Sequence, residues 1–113
     1  MNILTFDIED WWVYEHYQLG NSSEWLHRLN NYLDRILDLL EERDIHATFF
    51  VLGEVAKRNP DVIRRIDAGK HHIGCHSYSH KFLNDMSFEE VEEDTRVAIE
   101  TIENVIGRKV DAY

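Results

Sequence analysis

The sequence is short of cysteine, of basic residues and of long apolar runs, and each shortage excludes a class of protein. Cys75 is the one cysteine among 113 residues, so no intramolecular disulfide can form, and we expect a cytoplasmic protein. Acidic residues outnumber basic ones by 22 to 12, for a formal charge of −10, which argues against nucleic acid as the partner because phosphate contacts need clustered Lys and Arg. No stretch approaches the ~18–20 apolar residues that span a bilayer, and no secretory signal opens the chain.

The remaining composition is that of a folded protein. Hydrophobic residues make up 43% of the chain and charged residues 30%, which is ordinary for a globular domain and unlike a disordered segment. The length allows one domain at most, or a piece of one.

Strand-like and helix-like segments alternate along the chain. Apolar or β-branched runs predict four short strands, at residues 3–6, 46–52, 73–75 and 109–113. Apolar positions at helical spacing predict three helices, over residues 25–43, 60–68 and 88–106. Asn59 and Pro60 form the expected start of the second helix, and a capping box from Ser87 to Glu90 begins the third.

This alternation predicts an α/β fold with parallel strands, because successive parallel strands need helical crossovers between them. The last predicted strand coincides with the end of the sequence. We therefore expect a truncated, partial (β/α) barrel, in which the unpaired strands and the open barrel face promote self-association of the chain.

Two polar clusters follow predicted strands, at the end where β/α folds place catalytic residues. Asp7, Glu9 and Asp10 follow the first strand, and His76 and His80 follow the third. Two histidines four residues apart can reach one ion, and imidazole with carboxylate suits Zn²⁺ or a first-row neighbour such as Co²⁺. Two histidines and one acid leave a position open for water, and a second carboxylate would accept the proton of that water.

Each cluster taken alone has an ordinary explanation. A pair of histidines at this spacing is common by chance, and an acidic trio near an N-terminus is usually solvated. Their shared position after predicted parallel strands is what indicates a metal site.

Three motifs in order resemble the polysaccharide deacetylase (NodB-homology, carbohydrate esterase family 4) pattern: residues 4–7 (LTFD), 47–53 (ATFFVLG) and 76–80 (HSYSH). The resemblance implies that residues 1–113 are the N-terminal part of a catalytic domain with a TIM-like barrel fold. It implies a metal-dependent hydrolase that removes acetyl groups from N-acetylated sugars of a polysaccharide or glycan precursor.

The resemblance also implies roles for individual residues. Asp7 matches the general base, His76 and His80 match the two histidine ligands, and Ser77 matches the position that shapes the ligand loop. The commonest family pattern has two adjacent aspartates, whereas Ile8 follows Asp7 here. An Asp-x-Asp variant of the pattern makes Glu9 the carboxylate ligand, and Asp10 is the competing choice.

Two other interpretations stay open at this stage. The family's later motifs, an Arg after the fourth strand and a His acting as general acid, fall beyond Tyr113, so the chain could be a non-catalytic metal- or carbohydrate-binding fragment. An interaction domain that uses the acidic helix at 88–106 is the third interpretation. Four aromatic residues after the acidic cluster are more typical of core packing than of sugar stacking: Trp11, Trp12, Tyr14 and Tyr17. Cys75 is expected to be a buried strand residue rather than a ligand.

Overall fold

The computed structural model of the chain describes residues 2–10, 13 and 29–113, where strands alternate with helices. The elements in order are β1 (Thr5–Ile8), α1 (Leu29–Glu42), β2 (Thr48–Val51), α2 (Gly53–Arg58), α3 (Pro60–Ala68), β3 (His72–Cys75), a 3₁₀ turn (Leu83–Asp85) and α4 (Phe88–Ile106). The aromatic residues after the acidic cluster and the predicted start of α1 lie outside the described residues. None of the described helices is long and apolar enough to cross a bilayer.

The three described strands form a parallel sheet in the order β1-β2-β3. Phe6 on β1 pairs with Phe49 on β2, which pairs in turn with Ile73 on β3. Because all the strands run in one direction, the residues that follow them meet at a single edge of the sheet. The predicted α/β class with parallel strands is confirmed.

The predicted fourth strand is not formed, and this prediction was wrong. Residues 109–113 belong to no strand, although the Ala112 carbonyl accepts a hydrogen bond of 2.8 Å from the Cys75 amide. Side chains hold the same segment at two further points: His72 Nε2 lies 2.6 Å from Asp111 Oδ1, and Val110 N donates to Glu103 Oε1 at 3.0 Å. The segment therefore lies beside β3 without building the repeated backbone ladder that defines a strand.

The core lies between the sheet and the helices α2, α3 and α4. Phe49, Val51 and Ile73 are fully buried, as are the apolar residues of the three helices that face them: Val55, Ala56, Val62, Ile63, Ile66, Ala98 and Ile102. Each fully buried large aliphatic or aromatic side chain contributes about 1.5–3 kcal/mol relative to exposure. This packing fixes the position of the sheet edge relative to α2 and α4.

The helix ends follow the sequence signals in part. The capping box of α4 is present in both directions: Ser87 accepts from the Glu90 amide, and the Glu90 side chain accepts from the Ser87 amide. Pro60 stands in the first turn of α3 as predicted, but the Asn59 side chain makes no capping hydrogen bond. The sequence did not predict α2, which has six residues, too few for an apolar period to show.

Candidate metal centre

The strand alternation of β1 separates the acidic residues from the core. Phe6 stacks on Phe49 with ring centroids 5.1 Å apart, and Ile8 is buried, so the even positions face inward. Asp7, which was predicted to follow the first strand, lies within β1. Asp7 and Glu9 are exposed on the other side, as the period of two in a strand requires. Both carboxylates therefore reach the sheet edge where β3 ends.

The two histidines come from a tight loop, residues 76–80, directly after β3. The His76 amide donates to the Val51 carbonyl at 2.9 Å, and the Gly53 amide donates to the Ser77 carbonyl at 3.0 Å. Ser77 and His80 have positive φ angles of 62° and 58°, a conformation that is uncommon outside glycine. The His80 amide donates to Ser77 Oγ at 3.0 Å, so Ser77 shapes the loop as the family pattern implied.

The loop brings both imidazole rings to one carboxylate. Glu9 Oε2 lies 3.5 Å from His76 Nε2 and 3.3 Å from His80 Nε2, and one ligand atom from each of these three residues lies within 4.8 Å of the others. The two rings are 5.1 Å apart, edge to face. Asp7 Oδ2 lies further out, 4.0 Å from His76 Nε2.

These spacings fit a zinc-type ion. Nitrogen and oxygen ligands that sit at 2.0–2.1 Å from a tetrahedral Zn²⁺ are about 3.4 Å apart from one another. The two distances from the Glu9 carboxylate match this value within a small rotamer adjustment. Two imidazoles and one carboxylate are also a donor set that known catalytic zinc sites use, with the fourth position left for water.

Asp10 is placed differently from Glu9. Its side chain is buried, and its carbonyl accepts a hydrogen bond of 3.0 Å from the Val13 amide. Among the described residues, the group that could hold an ion consists of Glu9, His76 and His80. The geometry therefore favours Glu9 over Asp10 as the carboxylate ligand, and the ligand assignment itself stays a prediction.

Cys75 adjoins the cluster without joining it. The side chain is fully buried, and burial raises the pKa of its thiol to about 11. A thiol that is protonated at neutral pH is a poor metal ligand and nucleophile. The structural role expected from the sequence is consistent with this environment.

A cavity of about 370 Å³ opens beside the cluster, within the size range of small-ligand sites. Asp7, His76 and His80 lie on its polar side. Its apolar lining includes Phe50, Leu83 and Tyr113. Phe50 is a half-buried residue of β2, whereas Leu83 and Tyr113 are exposed outside the strands, where an apolar residue carries no local sequence signal of function. A second cavity, of about 430 Å³, lies at the opposite end of the sheet near His46 and His71 and contains none of the candidate ligands.

The family is decided by a match over nearly the whole chain. The family model described as polysaccharide deacetylase matches residues 2–113. The chain belongs to the polysaccharide deacetylase family. The recognition made from the three ordered motifs is confirmed.

Relatives and solved structures agree with this assignment. The peptidoglycan-N-acetylmuramic acid deacetylase PdaA of Bacillus subtilis is 28% identical over 107 residues, which cover 88% of this chain and 41% of PdaA. A family 4 carbohydrate esterase from Bacillus anthracis superposes with a TM-score of 0.72 and 33% identity, over 96% of this chain and 44% of the esterase. A family 4 pseudoenzyme from the same organism gives a TM-score of 0.75 and 28% identity, over 96% of this chain and 32% of the pseudoenzyme.

The chain spans less than half the length of each of these three proteins. Its parallel strands and intervening helices match part of the fold of this deacetylase family. Since one of the similar structures is described as a pseudoenzyme, membership of the family and possession of the fold do not by themselves establish catalysis.

Proposed function

We propose that this chain supplies the metal ligands and the general base of a metal-dependent hydrolase that removes acetyl groups from N-acetylated sugars of a polysaccharide or glycan precursor. The observation that carries the proposal is the convergence of Glu9, His76 and His80 at one edge of the sheet, with Asp7 beside them. Relatives named as peptidoglycan and chitin deacetylases support the substrate class.

The residues divide into two roles. Glu9, His76 and His80 would hold the ion, and a bound Zn²⁺ or Co²⁺ would polarise the acetyl carbonyl and lower the pKa of a water molecule. Asp7 lies 4.0 Å from His76 Nε2, beyond the contacts that Glu9 makes with the same ring, and it lines the cavity. From that position its carboxylate can take the proton of the attacking water as general base.

The cavity beside Asp7 fits the chemistry of a sugar. Its lining combines the polar groups of the cluster with the apolar side chains of Phe50, Leu83 and Tyr113. Sugar rings present apolar faces and polar edges, and aromatic side chains such as Phe and Tyr pack well against the apolar faces. An N-acetyl group that reaches His76 and His80 would place its carbonyl next to the proposed ion.

The second candidate function is a non-catalytic metal- or carbohydrate-binding fragment. It is favoured by the match to a pseudoenzyme and by the share of each relative that this chain leaves uncovered. Zinc titration combined with an acetate-release assay separates the two functions. Zinc binding without acetate release from an N-acetylated chitooligosaccharide would support the binding fragment.

The ligand assignment is tested by removing one donor at a time. His76→Ala, His80→Ala and Glu9→Ala should each weaken the binding of Zn²⁺ or Co²⁺ by about tenfold or more, since two protein ligands hold an ion poorly. His72→Ala is the matched control, because His72 is a half-exposed histidine that pairs with Asp111 instead. Equal affinity in His76→Ala, His80→Ala and the control, measured by titration calorimetry, would remove the proposed site.

The role of Asp7 is tested separately. Asp7→Asn should retain the metal stoichiometry and lose about two to four orders of magnitude in turnover, the usual contribution of a positioned base. Metal content and acetate release are measured on the same preparation of active enzyme. A variant that loses its metal would identify Asp7 as a ligand and overturn its assignment as the base.

A further inference from the structure

We infer that Asp94, on the helix α4, is a positioning residue for the loop that carries His76 and His80. The inference rests on the proposed function in one respect, that the loop holds a metal. Within the part of the chain that the structure describes, Asp94 forms no hydrogen bond or ion pair with either imidazole. Its Oδ2 instead accepts a hydrogen bond of 2.8 Å from the backbone amide of Tyr78, which lies midway in the sequence between the two histidines.

The loop needs external support because of its backbone conformation. Ser77 and His80 both occupy the left-handed region, with φ angles of 62° and 58°, which is unfavourable for residues with a Cβ atom. Such residues persist where the surrounding structure fixes them. The relative position of the two imidazoles depends on the backbone at Ser77 and His80, because both residues lie in the loop that carries the two histidines.

The support comes from two helices. At the start of α2, the Gly53 and Glu54 amides donate to the Ser77 and Tyr78 carbonyls, each at 3.0 Å. From α4, the Asp94 carboxylate accepts a hydrogen bond from the Tyr78 amide. The peptide groups around Tyr78 are therefore held through an acceptor and a donor by separate elements. The hydrogen bond from the Tyr78 amide to Asp94 is the stronger kind, because its acceptor is a carboxylate.

The ring of Tyr78 lies close to Gly53, at the point where α2 approaches α4. A Cβ placed on Gly53 would lie 2.4 Å from Cδ2 of the Tyr78 ring and 2.9 Å from Cα of Ala98. Ala98 stands one turn after Asp94 on α4, so the two residues share a helix face. Gly53 therefore lies close both to the Tyr78 ring and to the face of α4 that carries Asp94.

Loss of the Asp94 carboxylate would leave the partly buried Tyr78 amide without this acceptor, and a loop with two left-handed residues would relax. The two imidazoles would then no longer be held at the spacing that suits one ion. Residues that orient metal ligands in this indirect way commonly change metal affinity by about 10–100-fold when they are replaced.

The test compares three variants of the chain by calorimetric titration with Zn²⁺. Asp94→Ala should bind the ion about 10–100-fold more weakly than the unchanged chain. Asp94→Asn should retain most of the affinity, because its amide oxygen can still accept from the Tyr78 amide. Glu92→Ala is the matched control: it removes one negative charge from the same helix at an exposed position, so its affinity should be unchanged.

Two further measurements keep the outcomes distinct. Thermal unfolding with EDTA shows whether Asp94→Ala is folded, and hydrogen exchange of the Tyr78 amide in the unchanged chain reports the bond directly, even if that variant does not fold. Fast exchange at Tyr78, or equal zinc affinity in folded Asp94→Ala and Glu92→Ala, would overturn the inference. An unchanged chain that binds no zinc would instead refute the proposed function, while exchange at Tyr78 would still test the contact with Asp94.

Discussion

Gly53→Ala is the substitution that most directly tests how the fold and the candidate site are joined. Gly53 is the first residue of α2, two positions after the end of β2, and its amide donates to the Ser77 carbonyl. A methyl group here would lie 2.4 Å from Cδ2 of Tyr78 and 2.9 Å from Cα of Ala98. Both distances are far inside van der Waals contact, and the second involves the backbone of α4, which cannot rotate away.

The expected cost follows from this overpacking. Inserting a methyl group into a packed interior typically destabilises a protein by about 1–3 kcal/mol. For a domain of this size each kcal/mol lowers the midpoint of thermal unfolding by about 4 °C, so we expect a decrease of about 4–12 °C. The Tyr78 ring is the more mobile neighbour, and its displacement would carry the histidine loop with it. Zinc affinity should therefore also fall, by about tenfold.

Gly107→Ala provides the matched control. Gly107 ends α4 with a φ of 72°, and a Cβ there would have no atom within 4 Å. The left-handed conformation alone should cost about 1 kcal/mol for alanine, without any effect at the site. Circular dichroism melts with EDTA and zinc titrations are made on both variants. Equal zinc affinity in the two variants would refute the claim that the close packing of Gly53 against Tyr78 positions the histidine loop.

Two other predictions concern pH and association. Burial and the neighbouring His46 lower the pKa of His71 from its ordinary 6.5, and His71 Nδ1 accepts from the Ala47 amide, so folding favours the neutral ring. The stability that the neutral ring contributes is full above pH 6.5 and is lost as the pH falls through the lower folded-state pKa. Between neutral and acidic pH, the melting temperature measured with EDTA should therefore decrease less for His71→Gln than for the unchanged chain. The 113-residue chain should also self-associate through the edge at β1, where Ile3 and Leu4 are exposed, and a monodisperse monomer in analytical ultracentrifugation would contradict this.

The features that the sequence predicted well are those with a local signal. The strand at residues 46–52 combines β-branched and aromatic residues, and the structure forms its centre as β2. The capping box at Ser87 fixes the start of α4 within one residue. The positions of the two polar clusters followed from the parallel strands, because parallel strands bring their carboxyl ends to one edge.

The features that the sequence missed depend on distant contacts. Val110 and its neighbours have the composition of a strand, but strand formation depends on a backbone ladder, and this segment is held mainly by side chains such as Glu103 and Asp111. Asp94 is one acid among several on α4, and nothing near it in the sequence distinguishes it from Glu92 or Glu93. Its hydrogen bond to Tyr78 spans sixteen positions and exists only once α4 packs beside the loop.

The departure from the family's paired aspartates has a physical explanation in β1. Ile8 continues the ladder, since its carbonyl accepts from the Leu52 amide at 3.2 Å, and its side chain is buried in the core. An aspartate in this conformation would place a carboxylate among apolar side chains, which is costly without a partner. Glu9 is the next residue on the side of Asp7, and its longer side chain brings one oxygen within 3.5 Å of both imidazoles. Under the proposed function the carboxylate ligand has therefore moved by one position along the chain, and the donor set that an ion requires is still present.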